Sequence, residues 1–323
     1  MISKTICQQG RGEPVVFYVP ETAQPGLSRT ALGVCAFCAM VNRNPTYRDV
    51  FFDPFAERLF AEGAVDGQHI LDRLTDWQSE LTFADENGIA RRLVASVLWR
   101  KTFMQSRAEQ ALENGAQQIV VLGSGLDTIG LRLSGSHSQV PVFEVDRPET
   151  IAAKRFLISR NFGVPPNIRY TAVDFARETT LNKLLELDYN HNIGTVFIAE
   201  VSLEYVPPAE VAEVYQMVRS NRSPATRFLT SFASTESVSQ SMGESDDIGN
   251  VVAGAGEPFL FNVAPDEVSD FATEQGFFVL DHLYGSARIV DYIAALGLSI
   301  DVMDFPIEQL DASSFSLCRL KPH

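Results

Sequence analysis

A glycine-rich turn between a predicted strand and a predicted helix is the first place in this sequence where chemistry could occur. The apolar run Gln118–Leu122 is followed by Gly123, Ser124 and Gly125, and a helix is predicted over Leu126–Leu133. Glycines let a ligand approach the backbone closely, and the N-terminus of a helix favours negative charge. Many folds use such turns for geometry alone, so the turn by itself leaves both interpretations open.

Acidic residues end the strand that follows this turn. Glu144 and Asp146 come about 20 residues after Gly123, where a carboxylate can accept hydrogen bonds from both hydroxyls of a ribose. The third glycine of a dinucleotide fingerprint would stand at Thr128, whereas Gly130 comes two residues later. The spacing therefore favours a nucleoside-containing ligand and argues against a pyrophosphate site.

Polar residues also end the next two predicted strands. Asp174 and Phe175 could hold an adenine by a hydrogen bond and a ring contact, although Asp174 could equally be a helix N-cap. Glu200, Glu204 and Tyr205 follow the fourth strand, and Tyr205 is the best candidate for contact with a substrate. Because open α/β folds bind ligands at the carboxyl ends of their strands, we expect these residues to line one crevice.

The elements that must position these residues alternate along the chain. Strands are predicted at Gln118–Leu122, Val140–Asp146, Ile168–Asp174, Thr195–Glu200 and Arg227–Phe232. Helices are predicted between them at Leu126–Leu133, Pro148–Phe162, Glu178–Leu187 and Pro208–Ser220. This alternation is typical of an α/β fold with a parallel sheet covered on both faces, and Phe277–Leu283 with Ser313–Leu320 predicts an antiparallel terminal hairpin.

The chain is expected to form one structural unit with two parts. Residues 1–115 are predicted to be a helical cap over the strand ends, with helices at Arg29–Val41, Asp53–Gly63 and Arg91–Asn114. Residues 116–323 are predicted to be the α/β core. A stretch rich in Gly, Ser and Asp predicts an insertion over 234–262 that could cover an active site.

Charge and composition exclude several classes of function. The formal net charge of −15 repels nucleic acids and anionic membranes, so neither is an expected partner. The longest apolar run, Ala31–Val41, is far shorter than the roughly 20 residues that span a bilayer, which predicts a cytoplasmic protein. Cys35 and Cys38 lack a second ligand pair, so we interpret them as core thiols and expect no metal site.

Five segments together resemble the S-adenosylmethionine-dependent leucine carboxyl methyltransferase family, in its bacterial branch of natural-product O-methyltransferases. They are FFDPFAERL at 51–59, VVLGSGLDTIGLRL at 120–133, VFEVDRPETIAAK at 142–154, AVDF at 172–175 and FIAEVSLEYVPPAEV at 197–211. The resemblance extends over roughly residues 30–276. It implies a Rossmann-like class I methyltransferase fold with a mostly parallel seven-stranded sheet, and S-adenosyl-L-methionine as the cofactor, with S-adenosyl-L-homocysteine as its product.

The resemblance also implies roles for individual residues. The cofactor would be bound at its methionine part by Gly123, Ser124 and Gly125, at its carboxylate by Arg100, at its ammonium by Glu200, at its ribose by Asp146, and at its adenine by Asp174 and Phe175. The chain departs from the family pattern at Lys101, where threonine is usual, at Gln105 and Ser106, where aspartates are usual, and at Cys38, where the bacterial branch commonly has arginine.

The expected reaction is O-methylation of a carboxylate on a small molecule or peptide-like natural product. Such an acceptor is ionised at neutral pH and needs no general base, only alignment with the methyl group. Arg29, Lys101 and Arg288 could clamp it, although the plainer interpretation of each is a surface charge, and His282 is interpreted as a satisfied core histidine. Three alternatives stay open: methylation at a non-carboxylate oxygen or nitrogen, a nicotinamide-dependent oxidoreductase, and a non-catalytic cofactor-binding partner protein.

Overall fold

A computed structural model describes residues 25–43, 45–69, 71–72, 89–174, 177–233, 256–284 and 313–320, with the single positions 288, 291 and 294. Its α-helices are α1 Arg29–Arg43, α2 Pro45–Arg48, α3 Ala56–Gly63, α4 Ile89–Glu113, α5 Ile129–Ser136, α6 Pro148–Asn161, α7 Thr180–Leu185, α8 Pro208–Arg219 and α9 Val268–Glu274. Short 3-10 turns occupy Leu203–Tyr205 and Pro265–Glu267.

Seven strands form one sheet with the order β3-β2-β1-β4-β5-β7-β6. They are β1 Gln118–Leu122, β2 Val142–Asp146, β3 Ile168–Ala172, β4 Thr195–Ala199, β5 Arg227–Ala233, β6 Phe277–Leu283 and β7 Ser313–Leu320. The first five pair in parallel, and β7 lies antiparallel between β5 and β6. The predicted α/β class, the mostly parallel seven-stranded sheet and the terminal hairpin are confirmed.

The centre of the sheet is apolar because helices cover both of its faces. Every residue of β1 and β4 is buried, which explains their continuous apolar sequences. On one face, residues of α1, α3 and α4 form a single hydrophobic cluster with side chains of β1, β4 and β5. On the other face, Tyr215 of α8 packs edge-on against Phe228 and Phe277. The sheet thereby becomes a rigid platform whose carboxyl edge can carry a site.

Several predicted boundaries differ from the structure by one to three residues, and two of these differences have a local cause. The helix after β1 begins at Ile129 instead of Leu126, because the Asp127 side chain accepts a hydrogen bond from the Ile129 N–H at 2.8 Å and extends the turn. Strand β2 begins at Val142 instead of Val140, since Pro141 has no N–H to donate to a neighbouring strand.

The predicted insertion is covered only in part. Residues 234–255 lie outside the described residues. Residues 256–262, hereafter the strap, begin with a turn at Gly256 and have no regular secondary structure before the Pro265–Glu267 turn. Within the part of the chain that the structure describes, no helix has both the length and the apolar character needed to cross a bilayer.

Candidate active site

The glycine turn after β1 packs directly against the turn after β4. Gly123 and Gly125 have φ values of +63° and +41°, which disfavour side chains, and Ser124 between them is buried. A Cβ atom on Gly123 would lie 2.5 Å from the Cβ of Ser202. Glycine is therefore required here by both conformation and close approach, and the turn leaves its backbone available to a ligand.

Asp146 holds this turn from the end of β2. One carboxylate oxygen accepts from the Gly125 N–H at 2.7 Å, and the other accepts from the Arg147 N–H at 2.7 Å. The side chain is partly exposed. Because a carboxylate has about four lone-pair sites, Asp146 keeps capacity for two further donors, as the two hydroxyls of a ribose require.

Four charged groups form a buried cluster between α4, the glycine turn and the end of β4. Glu200 Oε1 accepts from Arg100 Nε at 2.7 Å and lies 2.8 Å from Lys101 Nζ, which also donates to Asp127 Oδ2 at 2.7 Å. Arg100 and Lys101 are both buried, with exposed fractions of 7% and 3%, so the interpretation of Lys101 as a surface charge was wrong. Sequence reasoning also missed Asp127, because its partner comes from a distant helix.

The pKa values of Lys101 and Asp127 favour their ionised forms. Burial alone would lower the pKa of Lys101, but Asp127 and Glu200 raise it above the ordinary lysine value. Burial would raise the pKa of Asp127, but Lys101 and Arg132 hold it below the ordinary carboxyl value. The four charges balance to zero, because two cations face two anions. The cluster is therefore a preorganised set of dipoles in a site that excludes water.

Both members of the Arg100–Glu200 pair keep unused hydrogen-bonding capacity. Glu200 Oε2 is buried and has no hydrogen-bond partner among the described residues. Arg100 uses only its Nε in the described part of the chain, so its two terminal nitrogens remain available. An ammonium and a carboxylate on one ligand would satisfy both groups.

Glu144 lies near the end of β2 as predicted, but it does not face the crevice, so the prediction that it could bind a ribose was wrong. It is completely buried and forms an ion pair with Lys154 at 2.7 Å. Lys154 also donates to the backbone oxygens of Ser124 and Asp127, at 3.1 and 2.6 Å. Gly130 provides the space, since a Cβ there would lie 2.2 Å from Glu144 Oε1. The pair thus supports the glycine turn from beneath.

A second support comes from the helical cap. Asp53 Oδ2 accepts from Thr128 Oγ1 at 2.5 Å and from Arg132 Nη1 at 3.1 Å, and all three side chains are buried or nearly so. The Asp53 backbone is fixed in turn by the side chain of Asn42. Sequence reasoning did not assign these residues, although Asp53 lies in one of the five family segments.

Of the two residues predicted to bind adenine, the structure describes only Asp174. Asp174 follows β3 with an exposed side chain near Arg177, at 3.6 Å, and its N–H donates to Glu178. It does not cap the next helix, because Thr179 is the N-cap residue of α7. Phe175 lies outside the described residues. Asp174 therefore lies at the predicted edge of the sheet, and the N-cap of the next helix is a different residue.

The turn after β4 carries Tyr205 next to the strap. The Tyr205 ring lies 5.3 Å from the Phe259 ring, and its buried hydroxyl has no hydrogen-bond partner in the described part of the chain. Burial raises the pKa of Tyr205 above its ordinary value, and Glu204 and Glu257 reinforce this. An unionised phenol here could donate to a ligand or accept from one.

The strap connects the cap with this turn. Glu257 Oε2 accepts from Ser28 Oγ at 2.9 Å and from the Thr30 N–H at 3.2 Å, at the start of α1. The N–H groups of Leu260 and Phe261 donate to the backbone oxygen of Glu204, at 2.7 and 3.1 Å. The strap therefore closes one side of the crevice over Tyr205.

The structure also describes the three remaining candidates, Arg288, Arg29 and His282. Arg288 is exposed and faces Asp281 at 3.4 Å, and Arg29 is half-buried at the first residue of α1. His282 stacks on Tyr284, but its Nε2 has no partner among the described residues, so the prediction of a satisfied histidine was wrong for that atom.

The two cysteines of α1 belong to the hydrophobic core of the protein. Cys35 and Cys38 are free and buried, and burial raises the pKa of the Cys38 thiol to about 12. This agrees with their interpretation as core thiols. Among the described residues, no three His, Cys, Asp or Glu side chains are grouped so that they could hold a metal ion.

Comparison with known proteins gives a consistent result. The chain is 26% identical to YktD of Bacillus subtilis over 196 residues, which cover 59% of this chain and 64% of YktD. It is 28% identical to SCO7813 of Streptomyces coelicolor, over 58% of this chain and 62% of that protein. Both carry the name of an S-adenosyl-L-methionine-dependent methyltransferase, and the chain spans less than two thirds of the length of either.

Solved structures share the fold. A crystal structure described as a methyltransferase from Thermobifida fusca has a TM-score of 0.53 at 16% identity, covering 83% of this chain and 93% of that one. A DUF574 family protein from Streptomyces avermitilis has a TM-score of 0.52 at 12% identity, covering 88% and 97%. The model of the family described as leucine carboxyl methyltransferase matches residues 31–219, which is more than half of the chain. The resemblance is thereby confirmed, and this chain belongs to the leucine carboxyl methyltransferase family.

Proposed function

We propose that this chain is an S-adenosyl-L-methionine-dependent methyltransferase that methylates a carboxylate oxygen of a small molecule or peptide-like natural product. The observation that carries the proposal is the buried Arg100–Glu200 pair beside the glycine turn. The pair offers donors for a carboxylate and an acceptor for an ammonium, which are the two charged groups of a methionine moiety.

The same crevice offers contacts for the rest of the cofactor. Asp146 retains acceptor capacity for the ribose hydroxyls, and Asp174 lies at the next strand end, where the adenine would be bound with Phe175. The turn formed by Gly123, Ser124 and Gly125 brings backbone close to the methionine part. Conformation, charge and hydrogen-bonding capacity all fit one ligand of this shape.

When bound, the cofactor supplies an electrophilic methyl group on a positively charged sulfur. The chain contributes binding and alignment, because an acceptor carboxylate is already ionised at neutral pH. Tyr205 and the strap lie where an acceptor would enter, and the buried charge cluster excludes water from the reacting atoms. The rate enhancement would come from the proximity and orientation of the two reactants, and the reaction would need no general base.

The first test is calorimetric titration with S-adenosyl-L-methionine, S-adenosyl-L-homocysteine and NAD in parallel. The proposal predicts micromolar binding of the first two and none of NAD. Binding of NAD alone would favour the oxidoreductase alternative and contradict the proposal. Cofactor binding without turnover of any acceptor would favour a non-catalytic partner protein.

The Asp146→Ala variant tests the site assignment. Loss of a partly buried hydrogen-bond partner for the ribose should weaken cofactor binding about 5- to 150-fold. The matched control is Asp49→Ala, which removes an exposed aspartate from the turn after α2 and should leave the cofactor Kd unchanged. Equal Kd values for Asp146→Ala and the unmodified protein would refute the assignment.

The Tyr205→Phe variant separates acceptor chemistry from cofactor binding. Removal of the buried hydroxyl should lower kcat/KM for the acceptor about 10-fold or more, because the ring and its contact with Phe259 remain but the hydrogen bond to the acceptor is lost. The cofactor Kd should not change. A parallel loss of cofactor binding would mean that Tyr205 serves the cofactor instead.

A further inference from the structure

Glu204 is a buried carboxyl group at the crevice that the proposed cofactor site does not use. It lies in the 3-10 turn after β4, and 2% of its surface is exposed. Its Oε1 accepts a hydrogen bond from Ser231 Oγ at 2.8 Å. Its Oε2 is buried and has no hydrogen-bond partner among the described residues. One oxygen of this carboxyl group is therefore held, and the other is left for a ligand.

Glu204 forms no ion pair in the described part of the chain. Arg100 donates its Nε to Glu200 and its terminal nitrogens are the donors proposed for the cofactor carboxylate, whereas Lys101 contacts Asp127 and Glu200. Burial without an ion-pair partner favours the protonated form of a carboxyl group. Burial raises the pKa of Glu204 to about 7; its own backbone N–H, Ser231 and Arg100 oppose this rise, and Glu200 adds to it.

The geometry also indicates which oxygen carries the proton. Ser231 Oγ accepts from the Val201 N–H at 2.8 Å and donates its own proton to Glu204 Oε1. Oε1 is thus occupied as an acceptor, and the carboxyl proton belongs on Oε2. The other titratable groups around Glu204 are the hydroxyls of Tyr205 in the same turn and Tyr215 on α8, both with a raised pKa.

The backbone of this turn is held in a costly conformation. Val201 has a φ of +47°, a region that β-branched residues rarely adopt, and its N–H is fixed by Ser231 of β5. The Glu204 backbone oxygen is fixed by two N–H groups of the strap. A strained turn that two neighbouring elements, β5 and the strap, stabilise keeps the Glu204 side chain in one place.

We propose that Glu204 binds the methyl acceptor by donating a hydrogen bond from its carboxyl O–H to one oxygen of the acceptor carboxylate. This inference rests on the proposed function and names how its acceptor is recognised. The other acceptor oxygen forms the new O–C bond as the S–C bond breaks, the electron pair stays on sulfur, and Glu204 keeps its proton. The ester product is neutral, so the hydrogen bond from Glu204 weakens once the methyl group has moved.

The arrangement selects acceptors by charge and by pH. Protonated Glu204 favours an anionic acceptor, because hydrogen bonds to charged groups are the stronger ones. Ionised Glu204 would repel the same acceptor and would lack the donor. Acceptor binding should therefore be tight below the pKa of Glu204 and should weaken as pH rises through it.

The test uses full-length protein, labelled S-adenosyl-L-methionine and a panel of probes at pH 5.5 to 9. The carboxylate probes are benzoate, phenylacetate, indole-3-acetate and an N-acyl amino acid, and the comparison probes are phenol and aniline. For the best carboxylate, kcat/KM should be constant at low pH and fall about 10-fold per pH unit above neutrality, while kcat changes less. A carboxylate turnover that is independent of pH would overturn the inference.

Two variants of Glu204 separate a binding role from a structural one. Glu204→Gln keeps a donor that does not titrate, so its kcat/KM should be flat with pH and should exceed that of the unmodified protein at pH 9. Glu204→Leu has no donor, so its KM should rise about 10-fold or more at low pH with an unchanged cofactor Kd. Glu213→Gln removes an exposed carboxylate from α8 and should keep the original pH profile.

A measurement on the unmodified protein covers the case in which the variants do not fold. Calorimetric titration of the S-adenosyl-L-homocysteine complex with the best carboxylate, in two buffers of different ionisation enthalpy, should show uptake of about one proton at pH 8. Binding without proton uptake would overturn the inference.

The outcomes distinguish this inference from the proposed function. If the protein does not bind S-adenosyl-L-methionine, both the proposed function and this inference are refuted. A protein that binds it and methylates only phenol or aniline, or none of the panel, retains the cofactor site but refutes carboxylate recognition by Glu204.

Discussion

At the scale of single residues, the crevice depends on close approach as much as on charge. Gly123 and Gly130 each leave space for one neighbouring side chain, Ser202 and Glu144 respectively. The glycine spacing that looked like an incomplete dinucleotide fingerprint therefore has another cause, since Gly130 accommodates a buried carboxylate and does not approach a phosphate. Single glycines in this region should be intolerant of substitution for reasons specific to each position.

The Gly123→Ala variant should bind the cofactor weakly and lose stability. A left-handed backbone conformation costs alanine about 1 to 2 kcal/mol, and the new Cβ would also collide with Ser202. Urea denaturation and cofactor titration measure the two effects. Gly163→Ala is the matched control, because Gly163 has a φ of +74° and nothing within 4 Å of a Cβ. Similar losses in both variants would show that backbone strain alone, without the contact with Ser202, explains the requirement.

At the scale of elements, the sequence predicts the strands better than the contacts between them. Most strands contain a short apolar run, and β7 alternates apolar with polar residues, so period and composition are enough to locate them. The exact helix starts depend on local side-chain bonds such as that of Asp127 to Ile129. The pairing of Lys101 with Asp127 and Glu200 could not be predicted, because it forms only when α4 crosses the strand ends.

The Lys154→Met variant tests whether α6 supports the glycine turn. Removal of the ammonium leaves Glu144 buried without its partner, which should lower the free energy of unfolding by about 3 to 5 kcal/mol. The double variant Glu144→Gln with Lys154→Met should recover most of that stability and still bind the cofactor weakly, since the bonds to the Ser124 and Asp127 backbone oxygens stay lost. Urea denaturation and cofactor titration separate the two effects.

Lys183→Met provides the matched control. Lys183 pairs with Glu178 and Glu186 on the surface of the molecule, where ion pairs contribute little. Its urea midpoint should stay close to that of the unmodified protein. A double variant at positions 144 and 154 that binds the cofactor normally would mean that the buried pair serves stability alone.

At the scale of the whole molecule, the predicted cap and the predicted core share one hydrophobic cluster. Leu32 and Phe60 of the cap and Phe103 of α4 are fully buried in the same cluster as Ile119 of β1 and Leu229 of β5. Asp53 adds a buried hydrogen bond from the cap to the glycine turn. Separation of residues 1–115 from 116–323 would expose the apolar face of the sheet to water, so we expect the two parts to unfold together.

This expectation can be measured with a Trp77→Phe variant, which leaves Trp99 of α4 as the remaining tryptophan. Trp99 is fully buried and reports on the N-terminal part, whereas far-ultraviolet circular dichroism reports on all helices and strands. Thermal and urea transitions followed by the two signals should coincide, as a two-state transition requires. Both midpoints should rise together when S-adenosyl-L-homocysteine is added, because a ligand held by α4 and the strand ends stabilises the shared fold. A fluorescence transition that precedes the circular dichroism transition, or that fails to shift with the ligand, would mean that residues 1–115 fold as a separate unit.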